Sequence, residues 1–207
     1  MKNLVVPFVK GFEDIEVFAE ANVDCVKWPQ NFPYKPSVRL LLGHDADALL
    51  ARFEVSEVNA KAVCLDDNGP VWEDSCAEIF LRVPGHREYF NFETNCIGIG
   101  LAAERLSRSE FKRFGPERMA RVVRRSSLPH EAVDLADATW ILEVEIPFDL
   151  LGCDCCPERL EGNFYKCGDK TAVPHYVSWN PVDTPKPDFH RPEFFGTLVL
   201  LPAPRER

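Results

Sequence analysis

The stretch VWEDSCAEIFLRV, from Val71 to Val83, places an indole at Trp72 beside two acids and a further carboxylate at Glu78. An indole next to a fixed carboxylate suits a polyhydroxylated ring, because it offers a flat apolar face for stacking and an acceptor for hydroxyls. The same residues also read as a half-buried strand whose Trp fills the core and whose Glu78 pairs with Arg82. A second acid, Glu93, follows in another alternating stretch. Two carboxylates about 5–10 Å apart are what glycoside hydrolysis requires, so Glu78 and Glu93 define an enzymatic alternative. Ser/His/Asp chemistry finds no support, since no GxSxG occurs. Cys153, Cys155 and Cys156 form a tight CxCC cluster with Cys167 as the one plausible fourth partner for zinc; free thiols are the default expectation.

The elements that would position these groups are strands. Side chains switch faces at every residue, so Ser75, Ala77, Ile79, Leu81 and Val83 share one face and Cys76, Glu78, Phe80 and Arg82 the other. Glu88 to Cys96 alternates likewise, with Phe90, Phe92 and Thr94 opposite an unusually polar face of Tyr89, Asn91, Glu93 and Asn95. That face either meets water or floors a polar cleft. Val38 to Leu42 and Leu49 to Val55 read as strands, the latter with Leu49, Ala51, Phe53 and Val55 inward. Ala60 to Leu65 reads as a separate partner strand ending at the turn Asp66, Asp67, Asn68, Gly69. From Leu101 to about Arg113 the pattern loosens into a helical turn or an irregular excursion. Trp140 to Ile146 is the cleanest strand, with Trp140, Leu142, Val144 and Ile146 inward. Pro147 ends it, and Phe148 to Gly152 suits one helical turn. Asn163 to Cys167, Tyr176 to Trp179 and Thr197 to Leu201 complete the set. Many short strands between Pro and Gly punctuation, with little helical periodicity, predict an all-β antiparallel sandwich with short helical turns.

Composition bounds the partners. The 207 residues suit one domain spanning 1–207, large enough for a substantial core. A net charge of -9 argues against nucleic acid, and the basic run from Lys112 to Arg125 is diluted by Glu117 into a solvated face. The N-terminal apolar run is too short for a signal-peptide core or a membrane span. The expected location is therefore cytoplasmic, or extracellular or periplasmic if a leader was removed. Eight Cys without a visible leader are expected to be reduced. Oligomeric state is left open by the sequence.

Three segments, PVWEDSCAEIFL from Pro70, GNFYKCG from Gly162 and HYVSWNPVDTPKPDFHRPEFFGTLVL from His175, together resemble the family 9 carbohydrate-binding modules. The resemblance implies an immunoglobulin-like or jelly-roll sandwich that binds a mono- or oligosaccharide end without catalysis. Family members are frequently appended to xylanases and other polysaccharide-degrading enzymes. Carried over by position, Trp72 and Trp179 match two clamping rings, Glu78 the hydroxyl acceptor and Lys166 a position usually held by Arg. Asn95 and Asn163 are further candidates for hydroxyl contacts. Lys166 lacks the bidentate fork of Arg, and Tyr176 stands where an amide would be expected. Without the resemblance, Trp179 reads as core, because it shares a face with His175 and Val177. No cofactor is required; the family also implies structural calcium, for which Asp66, Asp67 and Asn68 are the obvious oxygens, though the same residues make an ordinary turn. The remaining alternative is a sandwich that has lost its sugar and serves as an interaction domain.

Overall fold

The computed structural model describes residues 1–204, so the last three residues of the expected domain lie outside the described part. Thirteen strands follow one another: β1 (Asn3–Val6), β2 (Ala19–Asn22), β3 (Ser37–His44), β4 (Ala48–Ala62), β5 (Cys76–Arg82), β6 (Tyr89–Asn95) and β7 (Gly100–Arg105). Then come β8 (Phe111–Arg113), β9 (Val123–Ser126), β10 (Val133–Pro147), β11 (Arg159–Cys167), β12 (Tyr176–Ser178) and β13 (Gly196–Leu200). One α-helical turn, Pro116–Met119, and short 3₁₀ turns such as Phe148–Leu151 connect them.

The strands form two sheets. The first runs β1-β13-β11-β5-β6-β7-β8, with β12 added to β11, and the second runs β2-β3-β4-β10-β9. Pairing is antiparallel except between β1 and β13, which are parallel. The sheets share one apolar core in which Leu49, Ala51, Phe53 and Val55 of β4 and Trp140, Leu142, Val144 and Ile146 of β10 meet Ala77, Ile79 and Leu81 of β5. This is the expected β-sandwich, built on the expected inward faces.

Two strand assignments change. Ala60 to Leu65 is no separate strand: β4 continues through Ala62 and pairs with β10 from Ala48↔Pro147 to Ala62↔Val133. The alternation shifts phase midway, because Glu57 and Ala60 are both buried while Val58 between them is exposed. Asp137, on the paired strand, adopts φ 48° at this point. The left-handed region is costly for most residues but tolerated by Asp, and it lets the ribbon change phase without ending. From the sequence that shift reads as a strand boundary. The stretch from Leu101 to Arg113 is likewise regular, forming most of the β7–β8 hairpin, in which Ala103 pairs with Arg113 and Arg105 with Phe111.

The central strands of the first sheet, β11, β5 and β6, are covered on both faces, whereas Val5 of β1 and Phe111 of β8 at its edges stay exposed. The outer face of those central strands, opposite the sandwich core, lies under the segment from about 181 to 195. Phe189 stacks on Tyr165 with ring centres 4.1 Å apart, and the Tyr165 hydroxyl donates to the Phe189 carbonyl at 3.2 Å. His190 packs on Phe80 at 5.0 Å and lies 3.1 Å from the Tyr89 hydroxyl. The polar face of β6 therefore does not meet bulk water. Among the described residues, no helix is long and apolar enough to cross a membrane.

Candidate functional site

Between that outer face and its cover lies a cavity of about 830 Å³. Strand register assembles its floor. Glu78 of β5 pairs with Glu93 of β6, which pairs in turn with Leu101 of β7, so their side chains stand in a row on one face. Glu78 and Glu93 are each 4% exposed and line the cavity together with Arg105. Trp72, Tyr176 and Phe32 supply aromatic wall, and Asp169 and Cys167 complete one side. Trp72 lies in the 3₁₀ turn Val71–Glu73 that leads into β5, half-exposed. Phe32 meets the Tyr176 ring edge-on at 4.7 Å and so fixes its tilt.

The floor is electrostatically strained. Burial, then the neighbouring Cys167 and Glu93, push the Glu78 carboxyl well above the ordinary carboxylate range. Burial likewise pushes Glu93 up to about 7, against the pull of Arg105 and of the Asn91 amide. A relay holds Glu93 in place: the Arg105 Nε donates to Asn91 Oδ1 at 2.6 Å, and Asn91 Nδ2 donates to Glu93 Oε1 at 2.7 Å. The Arg105 guanidinium also lies over the Phe111 ring, 4.4 Å from its centre. Burial raises the Asp169 carboxyl as well, with the Tyr176 hydroxyl opposing it. The result is a pocket with apolar walls and a floor of donors and acceptors, the combination expected of small-molecule sites.

Of the six residues singled out from sequence, Trp72 and Glu78 line this cavity and the other four do not. Trp179 is 3% exposed and lies in the core, its ring tilted against Phe164 at 5.5 Å. Parity explains this placement. Tyr176 pairs with Cys167 and Val177 with Lys166, so Tyr176 takes the outer face while Val177, and Trp179 after it, turn inward. The slot between Trp72 and Trp179 therefore does not form, and Tyr176 is the ring that β12 contributes.

Lys166 also points inward and is fully buried between the sheets. Its ammonium lies 2.8 Å from Glu57 Oε2 and donates to the Cys167 carbonyl and to His175 Nε2, each at 2.8 Å. His175 Nδ1 donates to the Val173 carbonyl at 2.8 Å, which fixes the tautomer. Burial, then the Lys166 charge, lowers His175 to about 3, so it stays neutral. Asn95 is a structural tie: its amide nitrogen donates to Asp74 Oδ2 and the Cys64 carbonyl, and its oxygen accepts from the Ile99 amide. Asn163 ties β11 to the following segment, accepting from the amides of Phe164 and Asn180 and donating to the Asn180 carbonyl.

The other expectations fall in distinct places. Glu78 does not pair with Arg82, whose partner is Glu161 at 2.6 Å. In the acidic turn, Asp67 receives two hydrogen bonds from Arg124, at 2.6 and 2.9 Å, and a third from the Gly100 amide. The Asp67 carboxylate is thus held by Arg124, while the Asn68 Oδ1 beside it is buried without a partner. Cys167 lies beside Cys76 and Glu78 and is no fourth partner of Cys153, Cys155 and Cys156. All eight Cys are free thiols. Sequence reasoning missed Arg105, Asp169 and Phe32 altogether. Extending the two-residue alternation through Leu101, Ala103 and Arg105 would have found the first.

Comparison with known proteins bears on the whole chain. A search of curated proteins finds no match. A solved structure of a Bacteroides uniformis ATCC 8492 protein, itself proposed to bind carbohydrate, is similar at 33% identity with a TM-score of 0.90, covering 97% of this chain and 99% of that one. A family 9 module from Caldicellulosiruptor kristjanssonii in complex with glucose aligns at TM-score 0.66 and 11% identity, over 100% of this chain and 99% of that one. A module of the same family and organism with cellotriose aligns at 0.59 and 11%, over 96% and 93%. At such identity these two speak for the fold. The family model described as carbohydrate-binding family 9 matches residues 9–200; the chain belongs to that family.

Proposed function

We propose that the protein binds carbohydrate reversibly, seating a mono- or oligosaccharide end in the cavity on the outer face of the first sheet. The observation that carries this reading is the cavity's composition: Trp72 and Tyr176 on its wall, and Glu78, Glu93 and Arg105 at its floor. A pyranose has apolar C–H faces and a rim of hydroxyls. Stacking removes the faces from water at about 25 cal/mol per Å², and each buried hydroxyl must then find a partner or cost roughly 1–3 kcal/mol. Rings answer the first demand, and charged donors and acceptors the second. The volume lies within the roughly 300–1,000 Å³ of small-molecule sites. Family membership and the sugars bound by the Caldicellulosiruptor modules support the same reading.

Calorimetric titration with glucose, cello-oligosaccharides and xylo-oligosaccharides tests it. Saturable 1:1 binding that is weakened in Trp72→Ala is expected, and the preferred chain tells whether the role serves xylan or glucan breakdown. Absence of binding across the panel would overturn the reading. The direct pairing of Glu78 with Glu93 favours one other reading, hydrolysis. Turnover of an aryl glycoside that disappears in Glu78→Gln would establish that instead.

A further inference from the structure

We propose that Cys76, Cys167 and Glu78 form a binding site for a thiophilic divalent cation, zinc(II), at the back of the cavity. The site is a tripod on one sheet face. Cys76 pairs directly with Cys167 across β5 and β11, and Glu78 stands two residues beyond Cys76, on the same face. Their three ligand atoms lie within 4.8 Å of one another, and all three residues are buried. Among the described residues, no other group of His, Cys, Asp and Glu comes together in this way. Zinc bonds of about 2.3 Å to sulfur and 2.0–2.2 Å to oxygen place neighbouring ligands roughly 3.5 Å apart. The Cys167 sulfur is already 3.1 Å from Glu78 Oε1, so small rotamer adjustments close the set.

The chemistry of the donors selects the metal. Two thiolates and one carboxylate favour zinc over calcium or magnesium, which take all-oxygen shells. Two strands of a paired sheet hold the donors, and rigid elements position ligands better than loops. Cys167 also lies 3.5 Å from the Trp72 carbonyl, which links the site to the turn carrying Trp72. Three protein ligands leave a fourth tetrahedral position. Cys167 and Glu78 both line the cavity, so that position faces it and takes water or a ligand hydroxyl. Binding releases the thiol protons and leaves no oxidation state changed. This site is separate from the CxCC segment around Cys153, and its metal affinity does not depend on the sugar reading, although the two share Glu78.

The test uses reduced, metal-free protein with Cys153, Cys155 and Cys156 all replaced by Ser, titrated with cobalt(II) and then zinc(II). Expected are a thiolate-to-cobalt charge-transfer band saturating at one equivalent, its displacement by zinc, and loss of the band in Cys76→Ser and in Cys167→Ser. Glu78→Gln, which keeps both thiols, retains the band with affinity lowered at least about tenfold. Thermal melting of each variant separates lost metal from lost fold, and Glu78→Gln keeps the test decisive if a Ser variant does not fold. No thiolate band in the background protein, or an unchanged affinity in Glu78→Gln, would overturn the proposal. Glucose titration of the metal-free protein reports on the sugar site independently, so failure of one reading does not carry the other with it.

Discussion

At the scale of single residues, two tryptophans that look alike in the sequence have different work. Trp72 is half-exposed on the cavity wall, whereas Trp179 fills core space against Phe164. Trp72→Ala is therefore expected to weaken sugar binding by about 2 kcal/mol, roughly thirtyfold, with little change in the unfolding midpoint. Trp179→Ala should show the reverse, losing about 3–5 kcal/mol of stability, while Trp179→Phe binds sugar like the wild type. Calorimetry and urea unfolding on the three variants check both halves. Equal loss of affinity at the two positions would contradict the assignment. Glu78 and Trp72 were legible because a strand's two-residue period and a flanking turn are local features. Trp179 was legible too: its shared face with His175 and Val177 marks it as core, and family resemblance pointed the other way.

At the scale of elements, the long β4 strand delivers an acid into the interior. Its inward alternation from Leu49 to Val55 continues to Glu57, where Lys166 meets it from the facing sheet and the Trp140 indole donates to its other oxygen at 2.7 Å. Breaking a buried pair leaves an uncompensated charge, so Lys166→Met should cost about 3–5 kcal/mol. The double variant Glu57→Gln, Lys166→Met keeps an acceptor for the indole and removes both charges, and it should recover much of that loss in urea unfolding at neutral pH. Equal destabilisation of single and double variants would show that packing at Lys166, and not charge, governs the site. The inward faces of β4, β5 and β10 follow from sequence alternation. What could not be read locally is the phase shift at Asp137, since it depends on a paired strand far away in the chain.

At the scale of the whole molecule, the segment from about 181 to 195 turns a sheet surface into a cavity, and it buries titratable groups in doing so. Burial lowers His190 to about 3, as it does His175. Each folded-state value lies below the ordinary 6.5, so below that pH the unfolded chain binds protons that the native state refuses. The histidines' contribution to stability is full above about pH 6.5 and falls progressively toward pH 3, while the raised Glu78 and Glu93 carboxyls, which take up protons more readily in the native state, act in the opposite direction. The buried His175 alone contributes a slope approaching about 1.4 kcal/mol per pH unit. In denaturant unfolding between pH 7 and pH 4, the stability of wild type relative to His175→Gln isolates this histidine and should fall as pH falls, by up to about 1.4 kcal/mol per pH unit; a difference independent of pH would contradict the account. The sandwich class was legible from alternation and punctuation, whereas the covered outer face was not. Covering it takes contacts such as Tyr165 with Phe189 and Tyr89 with His190, between stretches remote in sequence. The most direct measurement of the central claim is a crystal structure of the protein soaked with cellotriose or glucose. The account predicts a pyranose in the outer-face cavity against Trp72 and Tyr176, with a hydroxyl within hydrogen-bonding distance of Glu78. A sugar seated at another surface, with Trp72 and Glu78 untouched, would contradict it.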